Sequence, residues 1–289
     1  MFVFRAAVVG AGTMGGEIAH TIANADIPVL LKDIEQRFVD QGMEKARSLW
    51  QSRVNAGKLE PSELERKLDL ISPTTSYEPF GDVDFVVEAV PERIELKRSV
   101  FAELDKVTPG HAILASNTSS LSITEMGLAT ARPELVVGFH FFYPASVMRL
   151  IEVIEGDDTA PETVQDAANF AQAIRKTPIR CAEVPGFVVN RILNASVAEL
   201  WRYQEETGVD FKELDRIVGE SRAAPIGPFI LCDILGLDTV LHVAEYLEEC
   251  YGDRFYVHGR MRELVAAGDL GVKTGKGFYE HPGSGGDGR

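Results

Sequence analysis

Short apolar runs alternate with amphipathic stretches along the first 184 residues of the chain. The runs resemble buried parallel strands, and we predict strands at 5–9, 29–31, 85–87, 113–115, 135–139, 150–154 and 179–182. The stretches between them predict helices, most clearly at 14–25, 94–107 and 163–175. This order predicts an α/β fold built on a Rossmann-type doubly wound sheet.

A polar stretch at about 35–70 interrupts the alternation after the second predicted strand. It contains charged pairs at helical spacing, such as Glu44 and Arg47, and it is broken near Gly57 and Pro61. We therefore predict a helical hairpin inserted into the α/β domain.

The pattern changes near residue 184, because apolar positions then fall into helical periods and no further strand pattern follows. The first of these helices is expected to end near Gly208, a typical position for a left-handed C-cap. We predict a first domain over 1–184 and a second, all-helical C-terminal domain over 185–289. The tail at 280–289 is expected to be frayed.

Composition and charge narrow the classes of function. The chain has 289 residues, 45% of them hydrophobic, so it can bury a sizeable core. Its 29 basic and 44 acidic residues give a net charge of −15, which disfavours a nucleic-acid partner. We expect no membrane span, because every apolar run is shorter than the roughly eighteen residues required.

The apolar N-terminus lacks the cationic start of a signal peptide, and the three cysteines are far apart. These features predict a reducing, cytoplasmic location. No grouping of His, Cys, Asp and Glu has convincing metal-ligand spacing, so no metal site is expected.

A glycine turn joins the first predicted strand to the first predicted helix. It reads Gly10-Ala11-Gly12-Thr13-Met14-Gly15, the G-x-G-x-x-G spacing of a dinucleotide-binding site. The first glycine permits the tight turn, the second lets the backbone approach a pyrophosphate, and the third lets the helix pack on the strand. The helix start at Thr13 and Met14 favours the anion. The alternative is an ordinary glycine turn, since the chain has 26 glycines.

A carboxylate at the end of the second predicted strand supports the cofactor assignment. Asp33 stands where it can accept hydrogen bonds from an adenosine ribose. Because a carboxylate repels a 2′-phosphate, NAD is favoured over NADP as the cofactor. Lys32 and Arg37 are the nearby basic residues that could offset this repulsion.

Two polar side chains lie in neighbouring predicted strands. His140 ends the run LVVGF and Glu152 lies in LIEVI, so strand pairing could bring them together. Alcohol oxidation needs a base with a pKa near neutrality, and a carboxylate behind a histidine fixes its tautomer. The alternative is a satisfied buried histidine and an exposed strand glutamate. The segment 116–120 (SNTSS) likewise suits a ligand crevice, or is a polar loop in which Ser122 caps the next helix.

Segments along the whole chain together resemble the 3-hydroxyacyl-CoA dehydrogenase family. They are GAGTMG with Asp33, VVEAVPE, ASNTSSL, GFHFFYP, LIEVI, PGFVVNR, PIGPF, LGLDT and KTGKGFY. LLKDI and QSRVNAGKL are similar to the dehydrogenase section of multifunctional fatty-acid oxidation proteins. The resemblance implies an NAD-dependent oxidoreductase of fatty-acid or butanoate-type metabolism that converts an L-3-hydroxyacyl-CoA to the 3-ketoacyl-CoA. It also implies a homodimer.

The resemblance assigns roles to individual residues. The matched catalytic positions are His140, Glu152, Ser119 and Asn190. The matched cofactor contacts, beyond the glycine turn and Asp33, are Glu92, Lys97, Asn117 and Lys273. In this scheme His140 is the base, Glu152 is its partner, and Ser119 hydrogen-bonds the substrate oxygen. Without the resemblance, Glu92, Lys97 and Lys273 are ordinary solvated charges. Phe141-Phe142-Tyr143 lacks an asparagine by which some family members touch the cofactor.

Two other readings of the same scaffold stay open from the sequence. One is an L-gulonate-type or other hydroxyacid dehydrogenase, because a fold does not fix a substrate. The other is a non-catalytic NAD-binding protein. For an acyl-CoA substrate, the resemblance implies that CoA lies along the helical hairpin, where Arg47, Arg53 and Lys58 are candidates to meet its phosphates.

Overall fold

The structure, a computed structural model, describes residues 2–222 and 224–282. The chain divides into two compact units, Met1–Val184 and Pro185–Arg289. In the part of the chain that the structure describes, no helix combines the length and the apolar character needed to cross a membrane.

An eight-stranded sheet forms the centre of the first unit. Its strands are β1 (Ala6–Val9), β2 (Val29–Lys32), β3 (Ile71–Thr74), β4 (Phe85–Glu88), β5 (Ile113–Ser116), β6 (Val136–Phe141), β7 (Leu150–Glu155) and β8 (Thr177–Ala182). They lie in the order β3-β2-β1-β4-β5-β6-β7-β8, and only β6 and β7 pair antiparallel. The predicted α/β fold class is confirmed. The order of the strands along the sheet reverses between β1 and β4, and open α/β sheets bind ligands at such a point.

Six helices connect these strands. They are α1 (Thr13–Asn24), α2 (Gln36–Asn55), α3 (Pro61–Leu68), α4 (Ile94–Val107), α5 (Ile123–Gly127) and α6 (Pro161–Ala173). The pair α2 and α3 stands between β2 and β3, where the polar stretch predicts a helical hairpin. Trp50 of α2 is fully buried in the apolar cluster beneath this hairpin.

The edges of the sheet differ from the sequence prediction. β3 is not predicted at all, and β8 begins before the predicted range. Pro73 lies in β3 and Pro178 in β8, at opposite edges of the sheet. Proline cannot donate a ladder hydrogen bond, so it is tolerated in an edge strand but weakens the strand pattern in the sequence.

Aromatic packing fixes the orientation of β6. The rings of Phe85, Phe139 and Phe170 are almost fully buried, with Phe85 and Phe170 centroids 4.4 Å apart. Phe139 and Phe141 both belong to this apolar cluster. Because side chains alternate along a strand, His140 between them faces the opposite side of the sheet.

The regular elements of the second unit, within its described residues, are helices. They are α7 (Val189–Thr207), α8 (Phe211–Ser221), α9 (Pro228–Leu235), α10 (Leu237–Tyr251) and α11 (Gly259–Ala266). Gly208 ends α7 with a φ of 68°, the left-handed C-cap that the sequence predicts. The predicted fraying of 280–289 is wrong for His281, which bonds Asp233 at 2.8 Å. Residues 283–289 lie outside the described part.

Candidate active site

The glycine turn lies between β1 and α1, with Thr13 and Met14 in the first turn of the helix. Gly10 has a φ of 101°, and a Cβ on Gly15 would lie 1.7 Å from the Gly10 oxygen, so both positions need glycine. A Cβ on Gly12 would meet nothing within 4 Å. Open space therefore lies over the start of the helix, as a pyrophosphate requires.

Asp33 and its basic neighbours fit an unphosphorylated ribose. The Asp33 carboxylate accepts a hydrogen bond from the backbone of the glycine turn at 2.7 Å. Lys32 is buried with its ammonium 4.0 Å from the centre of the Tyr77 ring, and this burial lowers the pKa of Lys32. Arg37 pairs with Glu35 at 2.9 Å. Both basic residues are thus already engaged, so neither is a free cation that would offset the charge of Asp33.

His140 and Glu152 meet directly across β6 and β7. They are register partners in the antiparallel pair, and Nδ1 of His140 lies 2.8 Å from Oε2 of Glu152. Glu152 is only 1% exposed, so the alternative of an exposed strand glutamate is wrong. With Nδ1–H donating to the carboxylate, the neutral imidazole carries its lone pair on Nε2. This is the arrangement of a base with a buried counter-charge.

Asn117 supports the backbone beside His140. The pairing of β5 with β6 ends at Ser116 and Gly138, so His140 lies where β6 extends past its parallel neighbour. There Oδ1 of Asn117 accepts a hydrogen bond from the N–H of Phe141 at 2.9 Å. The side chain thus continues the ladder that β5 no longer supplies.

Ser119, Glu92 and Lys97 form a second group of predicted residues. Oε1 of Glu92 accepts hydrogen bonds from N and Oγ of Ser119 at 2.9 and 3.3 Å, and Oε2 lies 3.2 Å from Nζ of Lys97. Although burial acts in the opposite direction, Lys97, Thr118 and Ser119 lower the pKa of Glu92. Lys97 is only 1% exposed, so the alternative of a solvated surface charge is wrong for it.

Glu88 belongs to the same group, although it is not among the predicted site residues. It ends β4 fully buried, and its carboxylate accepts hydrogen bonds from Lys97 Nζ at 2.7 Å and from Ser116 Oγ at 2.6 Å. Burial raises the pKa of Glu88, and Lys97 opposes that rise. The available signal was a charged residue directly after the apolar run Phe85–Val87, at the ligand-binding end of a parallel strand.

Other predicted site residues lie elsewhere in the chain. Asn190 is in the first turn of α7, where its carbonyl accepts a hydrogen bond from Asn194 at 2.9 Å. Lys273, also in the second unit, pairs with Asp238. The roles of Asn190 and Lys273 stay predictions. Ser122 accepts a hydrogen bond from N of Glu125 at 3.1 Å, so the capping role predicted for it is confirmed.

Two of the three basic residues that are candidates to bind the CoA phosphates already have hydrogen-bond partners in the structure. Arg47 pairs with Glu65 at 3.0 Å, in a groove also lined by Asp40, Glu44 and Asp69. Arg53 bonds Asn24 at 3.2 Å, and Lys58 is exposed just after the end of α2. Within the described residues, no group of three or more His, Cys, Asp and Glu could hold a metal ion.

Comparison with protein families gives two matches. The family model described as 3-hydroxyacyl-CoA dehydrogenase, NAD binding domain, matches residues 5–184, and that for the C-terminal domain matches residues 186–281. Among curated relatives, the fatty acid oxidation complex subunit alpha of Pseudomonas aeruginosa is 40% identical over 281 residues. That match covers 96% of this chain but 39% of the relative, so the chain spans about two fifths of the length of such relatives.

Solved structures of similar proteins include two named for short acyl-CoA substrates. The 3-hydroxybutyryl-CoA dehydrogenase of Escherichia coli K12 has a TM-score of 0.93 and 36% identity, over 97% of this chain and 60% of that one. The (S)-3-hydroxybutyryl-CoA dehydrogenase PaaH1 of Ralstonia eutropha has a TM-score of 0.92 and 36% identity, over 97% and 99% of the two chains.

Proposed function

The chain belongs to the 3-hydroxyacyl-CoA dehydrogenase family, and on that basis we propose that it oxidises the 3-hydroxyl of an L-3-hydroxyacyl-CoA with NAD. The reaction is reversible and gives a 3-ketoacyl-CoA. The observation that carries the proposal is the buried contact of 2.8 Å between His140 and Glu152, because the reaction needs a base for the hydroxyl proton. The names of the similar structures make 3-hydroxybutyryl-CoA the first substrate to test.

The cofactor would be held by the first unit along the start of α1. The backbone at Gly12, Thr13 and Met14 would meet the pyrophosphate, and Asp33 the adenosine ribose. Further contacts are proposed for Glu92, Lys97, Asn117 and Lys273. When bound, NAD supplies the acceptor for the two electrons that leave the carbinol carbon.

Side chains of the protein would accept the proton of the substrate hydroxyl and stabilise the charge that this creates. Nε2 of His140 takes it from the substrate hydroxyl while Nδ1 stays hydrogen-bonded to Glu152, so the new positive charge forms beside a buried carboxylate. On substrate binding, the Ser119 hydroxyl would leave its 3.3 Å hydrogen bond to Glu92 and donate to the substrate oxygen, and Asn190 would hold the reacting part of the substrate. Asn117 keeps the β6 backbone in place, so the imidazole does not have to reorient during the reaction.

The test is the reduction of acetoacetyl-CoA, followed by NADH consumption. His140→Gln is expected to lower kcat about a thousandfold and to leave the Kd for NADH unchanged, because the loss is confined to proton transfer. His111→Gln is the control, since His111 is exposed and bonds Asp84, which precedes β4. A His140→Gln variant that keeps full turnover would sink the assignment.

The same assay separates the rival functions. Reduction of NAD with gulonate, without turnover of acetoacetyl-CoA, would identify a free-hydroxyacid dehydrogenase. NADH binding without turnover of either compound would identify a binding protein. The homodimer and the cytoplasmic location stay predictions, and sedimentation of the purified chain tests the first of them.

A further inference from the structure

Glu88 is a fully buried carboxylate that accepts hydrogen bonds from three donors. Oε1 accepts from Lys97 Nζ at 2.7 Å and from Val90 N at 2.6 Å, and Oε2 accepts from Ser116 Oγ at 2.6 Å. All three partners are donors, so the site is built for the ionised carboxylate. Glu88 thereby joins the end of β4 to the end of β5 and to the first turn of α4.

A contribution to the stability of the fold does not by itself explain why Glu88 and Lys97 form an ion pair in a buried position. Removing a carboxylate and an ammonium from water is costly, and an apolar pair of similar volume often stabilises a core as well or better. The pair of Glu88 and Lys97 is also at the ligand-binding end of the sheet and not in its middle. These two observations indicate that the charges serve the site beside them.

Lys97 connects the buried Glu88 to Glu92, which is the solvent-facing carboxylate of this group of side chains. Its ammonium is shared between Glu88 at 2.7 Å and Glu92 at 3.2 Å, and the Glu92 side chain, 33% exposed, is the part that faces solvent. Glu92 in turn accepts hydrogen bonds from Thr118 Oγ at 2.6 Å and from Ser119 N at 2.9 Å.

Ser116 provides a second connection from Glu88 to the same loop. Its hydroxyl donates to Glu88, and its oxygen accepts a hydrogen bond from Thr118 N at 3.2 Å. The loop that carries Asn117 and Ser119 is therefore connected to Glu88 in two ways, through Ser116 at its start and through Lys97 and Glu92 at its end.

We propose that Glu88 is a positioning residue for the cofactor: through Lys97 and Ser116 it holds Glu92 and the loop 117–119 in the arrangement that binds NAD. Glu88 itself does not touch the cofactor. The inference rests on the NAD chemistry of the proposed function and is independent of the choice of substrate.

The experiment compares Glu88→Gln with Asp105→Asn by fluorescence titration with NADH and by urea unfolding. Gln keeps the shape of Glu88 but loses the charge that holds Lys97, so the Kd for NADH is expected to rise at least about tenfold, or 1.4 kcal/mol. Asp105 pairs with Arg132 at 2.9 Å at the other end of α4, so its variant tests a broken, largely buried ion pair away from the cluster. Asp105→Asn is expected to lose stability but to bind NADH as the parent chain does.

A second variant, Ser116→Ala, serves if Glu88→Gln does not fold. It removes the hydroxyl that links Glu88 to Thr118 N but leaves the ion pair of Glu88 with Lys97 and every proposed NAD contact in place, so NADH affinity is expected to fall at least about threefold while the chain stays folded. Parent-like NADH affinity in either folded variant would overturn the proposal. If the parent binds NADH but does not reduce acetoacetyl-CoA, the substrate assignment fails and the Glu88 result still decides this inference.

Discussion

His20 is a buried ionisable side chain that the reaction does not use. It lies in α1, 6% exposed, with its ring 4.5 Å from that of Trp50. Within the described residues neither ring nitrogen has a hydrogen-bond partner. Burial lowers the pKa of His20 to about 4, a shift that Glu17 opposes and that nearby Arg53, Lys176 and Lys67 reinforce. The folded chain therefore holds His20 neutral at pH values where the unfolded chain protonates it.

This difference predicts how stability depends on pH. The unfolded histidine takes up its proton near pH 6.5 and the folded one near pH 4, so its contribution is complete above pH 6.5 and is lost as the pH falls toward 4. The loss is up to about 3 kcal/mol in the free energy of unfolding. His20→Met is expected to lose less stability than the parent between pH 7.5 and 5 in urea titrations. His111→Gln, at an exposed position, is the control. Identical pH dependence in His20→Met and the parent would contradict this prediction.

The residues of the site were predictable to different degrees. His140 and Glu152 can be picked out of the sequence because each interrupts an apolar strand, but only the resemblance to a family assigns them to each other. Glu88 also follows an apolar run, but no spacing rule links it to Lys97 or Ser116. The supporting role of Asn117 depends on where β5 ends beside β6, and that register is a tertiary property.

The two outer glycines of the turn and the middle one serve different purposes. A Cβ on Gly15 would lie 1.7 Å from the backbone oxygen of Gly10, so glycine there is a condition for α1 to pack on β1. A Cβ on Gly12 would point into open space and disturb no contact in the fold. The fold alone therefore does not require glycine at position 12, and we attribute its presence to the proposed approach of the cofactor pyrophosphate.

Alanine substitutions separate these roles. Gly15→Ala is expected to lower the free energy of unfolding by at least about 3 kcal/mol, because the backbone of the turn must move. Gly12→Ala is expected to change stability by less than about 0.5 kcal/mol and to weaken NADH binding at least about tenfold. Urea unfolding and NADH titration of both variants provide the measurements. Normal NADH affinity in Gly12→Ala would mean that the pyrophosphate does not approach this backbone.

Strands and helices could be predicted where the sequence has one strong pattern, either a continuous apolar run or a helical period of apolar residues. β1 is apolar along its whole length and fully buried, so its pattern is clear, and the predicted bounds of α4 match the observed helix. β3 was missed, since its sequence, Ile-Ser-Pro-Thr, has one apolar side chain and a proline. Only the neighbouring β2 makes this segment a strand.

Each of the two units has an apolar core of its own. The cluster of the first unit runs from Val3 to Ile174, and that of the second from Trp201 to Phe278. The division between the two compact units falls after Val184. A unit with its own core has the means to fold alone.

This division predicts the behaviour of a fragment of residues 1–184. It is expected to unfold in one cooperative urea transition and to bind NADH within about tenfold of the whole chain, because the glycine turn and Asp33 are both present. It is expected to show no turnover of acetoacetyl-CoA, since Asn190 is absent. A fragment that is unfolded by circular dichroism would show that the first core depends on the second unit.

The direct opposition of His140 and Glu152 in adjacent strands restricts how the length of the chain can change. A single residue inserted within β6 would turn the imidazole toward the apolar cluster of Phe139 and leave Glu152 facing an aromatic ring. Residues 142–149, between the two strands, lie outside the paired ladder, although buried Ala145 and the hydrogen bonds of Ser146 to Glu17 anchor the middle of this loop. Insertions and deletions selected for retained activity are therefore expected at the exposed positions of that loop and not in β6 or β7.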